Sequence, residues 1–136
     1  MAATEEGKGQ MSIARNFIVL GAVYLIVGVL LGMYMGGSGD HSLVGLHAHI
    51  NLLGFTLMTV FGVLYAVFPA SAEGMLPKVH FYCHQAGTLI LVIGLYFVLS
   101  NPEGAASMGP VMIVSETLVL VGVLSYAWNA FQTIGK

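Results

Sequence analysis

The chain has 136 residues, 57% of them hydrophobic and 7% charged, with a formal net charge of −2. A soluble domain carries about a quarter charged residues, so this surface is not built for water, and lipid is the solvent for most of it. Four Lys and Arg in all are too few for a phosphate-binding footprint, which argues against nucleic acid as a partner.

A helix needs roughly 20 mostly apolar residues to cross a bilayer. Four stretches qualify, at about 16–34, 43–68, 79–99 and 109–131, and they predict an all-α integral membrane four-helix bundle. Helical spans also satisfy every backbone donor and acceptor internally, as hydrocarbon requires. Residues 1–15 read as a polar tail, frayed over the first eleven, and residues 132–136 as a short C-terminal tail. The connectors are rich in helix breakers: Gly36-Gly37-Ser38-Gly39, the segment from Pro69 to Pro77, and Asn101-Pro102-Glu103-Gly104. The first apolar run is too long for the h-region of a signal peptide and lacks a small-x-small site, so it is expected to remain as a helix.

Charge sets the expected orientation. Lys8 and Arg15 precede the first span, Lys78 lies between the second and third, and Lys136 ends the chain. The other two connectors hold only Asp40, His41 and Glu103 as charged or titratable groups. Cytoplasmic loops are enriched in Lys and Arg, so both termini are expected inside, in a multi-pass protein of a bacterial inner (plasma) membrane.

Glycines recur along the spans: Gly21, Gly28, Gly32 and Gly36 in the first, Gly54 and Gly62 in the second, Gly87 and Gly94 in the third. Small residues on one helical face let another backbone approach closely. The neighbour is either another helix of the same chain or another subunit.

His47 and His49 open the second span, with Asn51 just after them. Ionisable side chains inside a span are costly and mark a site, although an interfacial histidine can also be only an amphipathic anchor. Two residues of separation rotate by about 200° at roughly 3.6 residues per turn. His47 and His49 therefore point to opposite sides of one helix and suit two sites better than one shared ion. Glu116 is the only carboxylate within a span and is expected at nearly the depth of His49 and Asn51. It could accept the second N–H of a ligating imidazole, carry a proton inward, or simply bond a neighbouring helix in its protonated form.

His80 and His84 form an i, i+4 pair at the start of the third span. Such a pair can hold zinc or copper, with only Cys83 and Glu73 as nearby candidates for a third ligand; the alternative is an interfacial, non-ligand role. About 30 Å of hydrocarbon separates this pair from His47 and His49. Cys83-His84 has the ending of a covalent heme motif, but His80 stands where the first cysteine belongs, so covalent heme is not expected. Phe61, Tyr65, Phe68, Phe81, Tyr82, Tyr96, Phe97, Tyr126 and Trp128 lie mostly near span ends and read as interfacial belts.

The stretch Leu46-His47-Ala48-His49-Ile50-Asn51-Leu52-Leu53-Gly54-Phe55 resembles the His-x-His helix of subunit I of heme-copper oxidases and their nitric oxide reductase relatives. Leu76-Pro77-Lys78-Val79-His80-Phe81-Tyr82 is similar to the entry of a helix on the cytoplasmic side of that subunit. The resemblance covers the second and third spans, and the rest by helix count. That subunit has three four-helix arcs around a pseudo-threefold axis, and the resemblance makes this chain the counterpart of one arc. It implies heme b, with His47 and His49 as axial ligands and Asn51 and Glu116 beside them. Joined to the opposed faces of the pair, it also implies a homotrimer in which His47 of one subunit meets His49 of the next across a heme.

The family's vicinal copper-ligating histidines have no counterpart at Val98-Leu99-Ser100-Asn101. Any enzymatic activity would be that of an oxidoreductase, but electron transfer, from membrane quinol or to another redox protein, is expected ahead of oxygen reduction. Two alternatives use the same residues. One is a module that binds or senses a diatomic gas at an open axial position. The other is a heme-free copper or zinc carrier, aided by Met33, Met35 and Met58; a structural partner of a larger oxidase would need none of the histidines.

Overall fold

The computed structural model describes residues 5–135, and the described chain is all-helical. Four helical segments are long and apolar enough to cross a membrane: Ser12–Ser38, Val44–Val67, Leu76–Ser100 and Pro102–Thr133.

Helix α1 runs over Glu5–Ser38. It starts well before the expected boundary, so most of the supposed frayed tail is helical; residues 1–4 and 136 lie outside the described residues. It also runs through Gly36 and Gly37 rather than stopping at Tyr34. It ends where Gly39 takes φ +71° and returns its N–H to the Met35 carbonyl at 3.0 Å. That left-handed conformation is easy only for glycine. Asp40 then accepts the Ser42 N–H at 2.9 Å, which turns the chain into the second span.

The second span has three parts: α2 over Val44–His49, a π-helical stretch over Ile50–Leu57, and α3 over Met58–Val67. The π winding begins at the residue after His49. Its i→i+5 pattern displaces carbonyls from their ordinary partners, and two carbonyls in this region accept side-chain donors, His47 O from Asn51 Nδ2 at 2.9 Å and Leu53 O from His84 Nε2 at 3.0 Å. A short 3-10 turn, Pro69–Ala72, leads to α4 over Leu76–Ser100, with Pro77 in the first turn, where a missing N–H costs nothing. A second 3-10 stretch, Pro102–Met108, precedes α5 over Gly109–Thr133.

Within the chain α1 packs on the second span and α4 on α5, and glycines set both contacts. A methyl at Gly28 would stand 2.6 Å from Asn51 Oδ1, and one at Gly32 would stand 3.0 Å from His47 Cε1. A methyl at Gly87 would meet the Ser115 carbonyl and the Val119 N–H at 2.8 Å. Gly21, Gly54, Gly62 and Gly94 are likewise against neighbouring helices, whereas nothing lies within 4 Å of the Cβ position at Gly36. The glycine stripes therefore serve packing inside the chain at all of these positions but Gly36.

Aromatic rings fill the core. Phe17, Phe61, Tyr65 and Phe81 are buried. Phe17 stacks on Tyr65 at 5.7 Å and meets Phe81 edge-on at 5.0 Å, and Phe61 lies 4.6 Å from Tyr126. The interfacial reading fails for Phe61, Tyr65 and Phe81, which are buried among other rings, Phe61 and Tyr65 against His80. Tyr82, Tyr96, Phe97 and Trp128 do stay on the outer surface.

Candidate functional site

His47 and His49 leave α2 in different directions, as the spacing requires. His47 is half-buried against Gly32 of α1. Asn51 Nδ2 lies 3.4 Å from both of its ring nitrogens, too long for a good bond, and donates instead to the His47 carbonyl at 2.9 Å. Asn51 thus holds the backbone of the motif where the helix changes its winding, more than it holds the ring.

His49 is exposed on the opposite side. Its Nδ1 lies 2.8 Å from the Gly45 carbonyl one turn back. A carbonyl only accepts, so the hydrogen sits on Nδ1, and in a neutral ring Nε2 keeps its electron pair. A ring fixed this way is the ordinary form of a transition-metal or heme-iron ligand.

The ring borders an open groove of about 390 Å³ between the second span, α4 and α5, whose walls include Leu53, Leu91, Val119 and Glu116. Glu116 is exposed rather than buried. It sits seven residues into α5, about 10 Å from its start at 1.5 Å per residue, and His49 is about 7 Å into α2 by the same measure. The structure thus brings together His49 and Glu116 on one groove, and His47 with Asn51 on another face. A second groove, of about 260 Å³, is lined by Ile90, Pro110, Val111 and Val114. Its walls are aliphatic apart from backbone, so it offers no comparable chemistry.

His80 and His84 are not interfacial. Both are fully buried in the core, with ring centres 5.8 Å apart. Tyr65 Oη lies 2.8 Å from His80 Nδ1, Phe61 and Phe17 rings stand 4.4 and 4.9 Å from the His80 ring, and His84 Nε2 donates to the Leu53 carbonyl. Cys83 is half-buried and free. Among the described residues no three His, Cys, Asp or Glu side chains gather closely enough to hold a metal ion. Of the methionines, Met58 and Met35 are buried and Met33 is exposed.

Sequence reasoning missed Tyr65, Thr88 and Asn129 as members of a polar core. Thr88 is fully buried, and Asn129 Nδ2 donates to the Ser71 carbonyl at 2.5 Å. The signal was present for one of them: His80, His84 and Thr88 recur every four residues, one face of one helix.

Among the described residues outside the spans, Asp40 is the one group with a displaced acidity. The Ser42 N–H bonded to its carboxylate holds it below the usual carboxylate range. No protein-family model matches this chain, and neither does any curated protein or solved structure.

Proposed function

We propose that this chain is a heme b-binding membrane protein that transfers electrons, with both termini on the cytoplasmic side of a bacterial inner membrane. The observation that carries this reading is His49. Its Nδ1 is committed to the Gly45 carbonyl, and the ring borders an apolar groove shared with Glu116. An imidazole and a carboxylate exposed at hydrocarbon depth are expensive in lipid, which argues that something other than lipid covers the groove. The apolar walls suit a porphyrin face, and Glu116 supplies one polar group at its edge.

Bound there, heme would supply one-electron chemistry, its potential set by axial ligation and burial. The chain's own part is to orient His49, through the Gly45 carbonyl, and to exclude water with Leu52, Leu53, Leu91 and Val119. His47 lies on another face of the helix, so one chain does not close a bis-His site by itself. A second histidine ligand has to come from another copy. A ring of three copies, each presenting His47 to the His49 of its neighbour, meets that need and agrees with the resemblance to an arc of the oxidase subunit.

The test is the absorption spectrum of the detergent-purified protein, oxidised and dithionite-reduced. A Soret band and a sharp reduced alpha band are expected, both lost in His49→Ala and in His47→Ala. Their absence after expression with ample heme would remove the reading. Because His49 is the one histidine that borders its groove, gas binding at an open axial position is the second reading. A shifted spectrum when carbon monoxide meets the reduced protein would favour it over electron transfer.

A further inference from the structure

His80 and His84 each have one ring nitrogen engaged and one free. His80 Nδ1 lies 2.8 Å from Tyr65 Oη, and His84 Nε2 donates to the Leu53 carbonyl at 3.0 Å. His80 Nε2 and His84 Nδ1 are buried and have no hydrogen-bond partner among the described residues. A buried polar group left unpaired costs about 1–3 kcal/mol, and hydrocarbon offers it no relief. A ring with one nitrogen tied to an oxygen and an unused electron pair on the other is the usual state of a metal-ligating histidine.

The two free nitrogens face one space. α3 ends at Val67 and α4 starts at Leu76, joined through the short turn at Pro69–Ala72, so both lie at one end of the bundle. Measured from that end at 1.5 Å per residue, Tyr65 is about 3 Å deep, His80 about 6 Å, His84 about 12 Å and Leu53 about 20 Å. The engaged nitrogen of His80 is thus turned towards the near end, and that of His84 towards the far end. An imidazole carries its nitrogens on opposite flanks, so His80 Nε2 and His84 Nδ1 look into the gap between the rings. Ring centres 5.8 Å apart decide what that gap takes. Two metal–nitrogen bonds of about 2.0–2.1 Å span roughly 4 Å and leave length for the half-rings. Two hydrogen bonds to a bridging water, at about 2.7–3.2 Å each, use nearly the whole separation before the rings are counted.

Zinc asks for four ligands, and no third His, Cys, Asp or Glu joins these two among the described residues. A divalent ion would also carry two uncompensated charges into a dry core. Monovalent copper halves that charge and accepts imidazole ligands. Phe17 and Phe61 each touch both histidines, with centres 4.9 and 4.4 Å from His80 and 6.4 and 5.6 Å from His84. An ion midway between the histidines lies within about 6 Å of both phenyl centres, where π electrons offset part of its lost hydration. We propose that His80 Nε2 and His84 Nδ1 hold one Cu(I) ion between them, walled by Phe17 and Phe61. The Tyr65 oxygen accepts the Nδ1–H of His80 and the Leu53 carbonyl accepts the Nε2–H of His84, which fixes both rings as ligands. Both rings stay neutral and release no proton when the ion binds. The site is separate from the His49–Glu116 groove and does not depend on heme.

The test uses the full chain, purified in detergent, loaded anaerobically with Cu(I) and freed of loose copper. One copper per chain is expected, and X-ray absorption at the copper edge should show a nitrogen shell at about 2.0 Å with imidazole scattering behind it. In ¹⁵N-histidine NMR spectra of the unsubstituted chain, copper should shift His80 Nε2 and His84 Nδ1 and leave the exposed His41 in place. Tyr65→Phe, which keeps the ring and removes the oxygen, should weaken Cu(I) affinity about 10–100-fold in competition with a chromophoric chelator. A chain that retains no copper would overturn the proposal. So would a sulfur shell, which would put the ion on Cys83 or a methionine, copper that leaves both buried resonances unmoved, or an affinity unchanged in Tyr65→Phe.

Discussion

The two histidine pairs are built in opposite ways. His47 and His49, two residues apart, diverge from a short helix, and the exposed His49 ring is fixed by a backbone carbonyl. His80 and His84, four residues apart, share one face and vanish into an aromatic core. The first arrangement costs the fold little and leaves a nitrogen available outside the bundle. The second is part of what holds α4 against the second span, because His84 supplies the hydrogen for the Leu53 carbonyl in the π-helical stretch. Spacing on a helix thus separates a pair suited to outside ligands from a pair suited to internal structure.

Substitutions can break that contrast. The largest expected effect is His49→Ala, which should abolish heme absorbance entirely while changing unfolding stability by no more than about 0.5 kcal/mol, as for an exposed site. Equal damage to folding and heme would place His49 in the structural class instead. His84→Ala should do the reverse. It removes a buried ring and orphans the Leu53 carbonyl, a loss of about 3 kcal/mol by equilibrium unfolding in mixed micelles. A near-neutral result would mean that the His84–Leu53 bond does not hold the π-helical stretch.

Glycines sharpen the comparison between packed and open faces. Gly87→Ala should cost about 1–3 kcal/mol, because the added methyl meets the backbone of α5 at 2.8 Å. Gly36→Ala meets nothing within 4 Å and should stabilise the helix by about 0.5–1 kcal/mol. If Gly36→Ala instead changes the oligomeric state by native mass spectrometry, that end of α1 faces another subunit.

The smallest effect concerns the connector before α2. The Asp40 acidity is lowered by the Ser42 N–H, so its contribution is present above the ordinary carboxylate range and is lost as pH falls through the lowered value. The Ser42 amide proton resonance should therefore move upfield as Asp40 takes up its proton, and in Asp40→Asn that titration should be absent.

Four apolar helices, and the limits of the last three to within a few residues, were legible because a run of apolar residues has few alternatives in a bilayer. The divergence of His47 from His49 was legible because helical rotation is fixed by geometry. The start of α1 at Glu5 was not, since polar residues there give no apolar signal. Neither was the π-helical stretch, because Ile50–Leu57 is as apolar and regular as its neighbours, and Asn51 inside the span was the single local hint. The placement of Phe61, Tyr65, Phe81, His80 and His84 went wrong for one reason: nearness to a span end was read as nearness to the interface. An aromatic or histidine near the end of a helix can face the lipid headgroups or the other helices, and only the neighbours decide which.

The sequence by itself determined the number of helices long and apolar enough to cross a membrane and the faces to which each residue is bound by helical period. These follow from local chemistry, from transfer free energy and backbone hydrogen bonding within a single segment. Tertiary structure decided that His49 shares a groove with Glu116, that His47 rests on Gly32, and that the second histidine pair forms part of a buried polar row. Those are relations between helices, set by which glycines admit which side chains, and no single segment contains them.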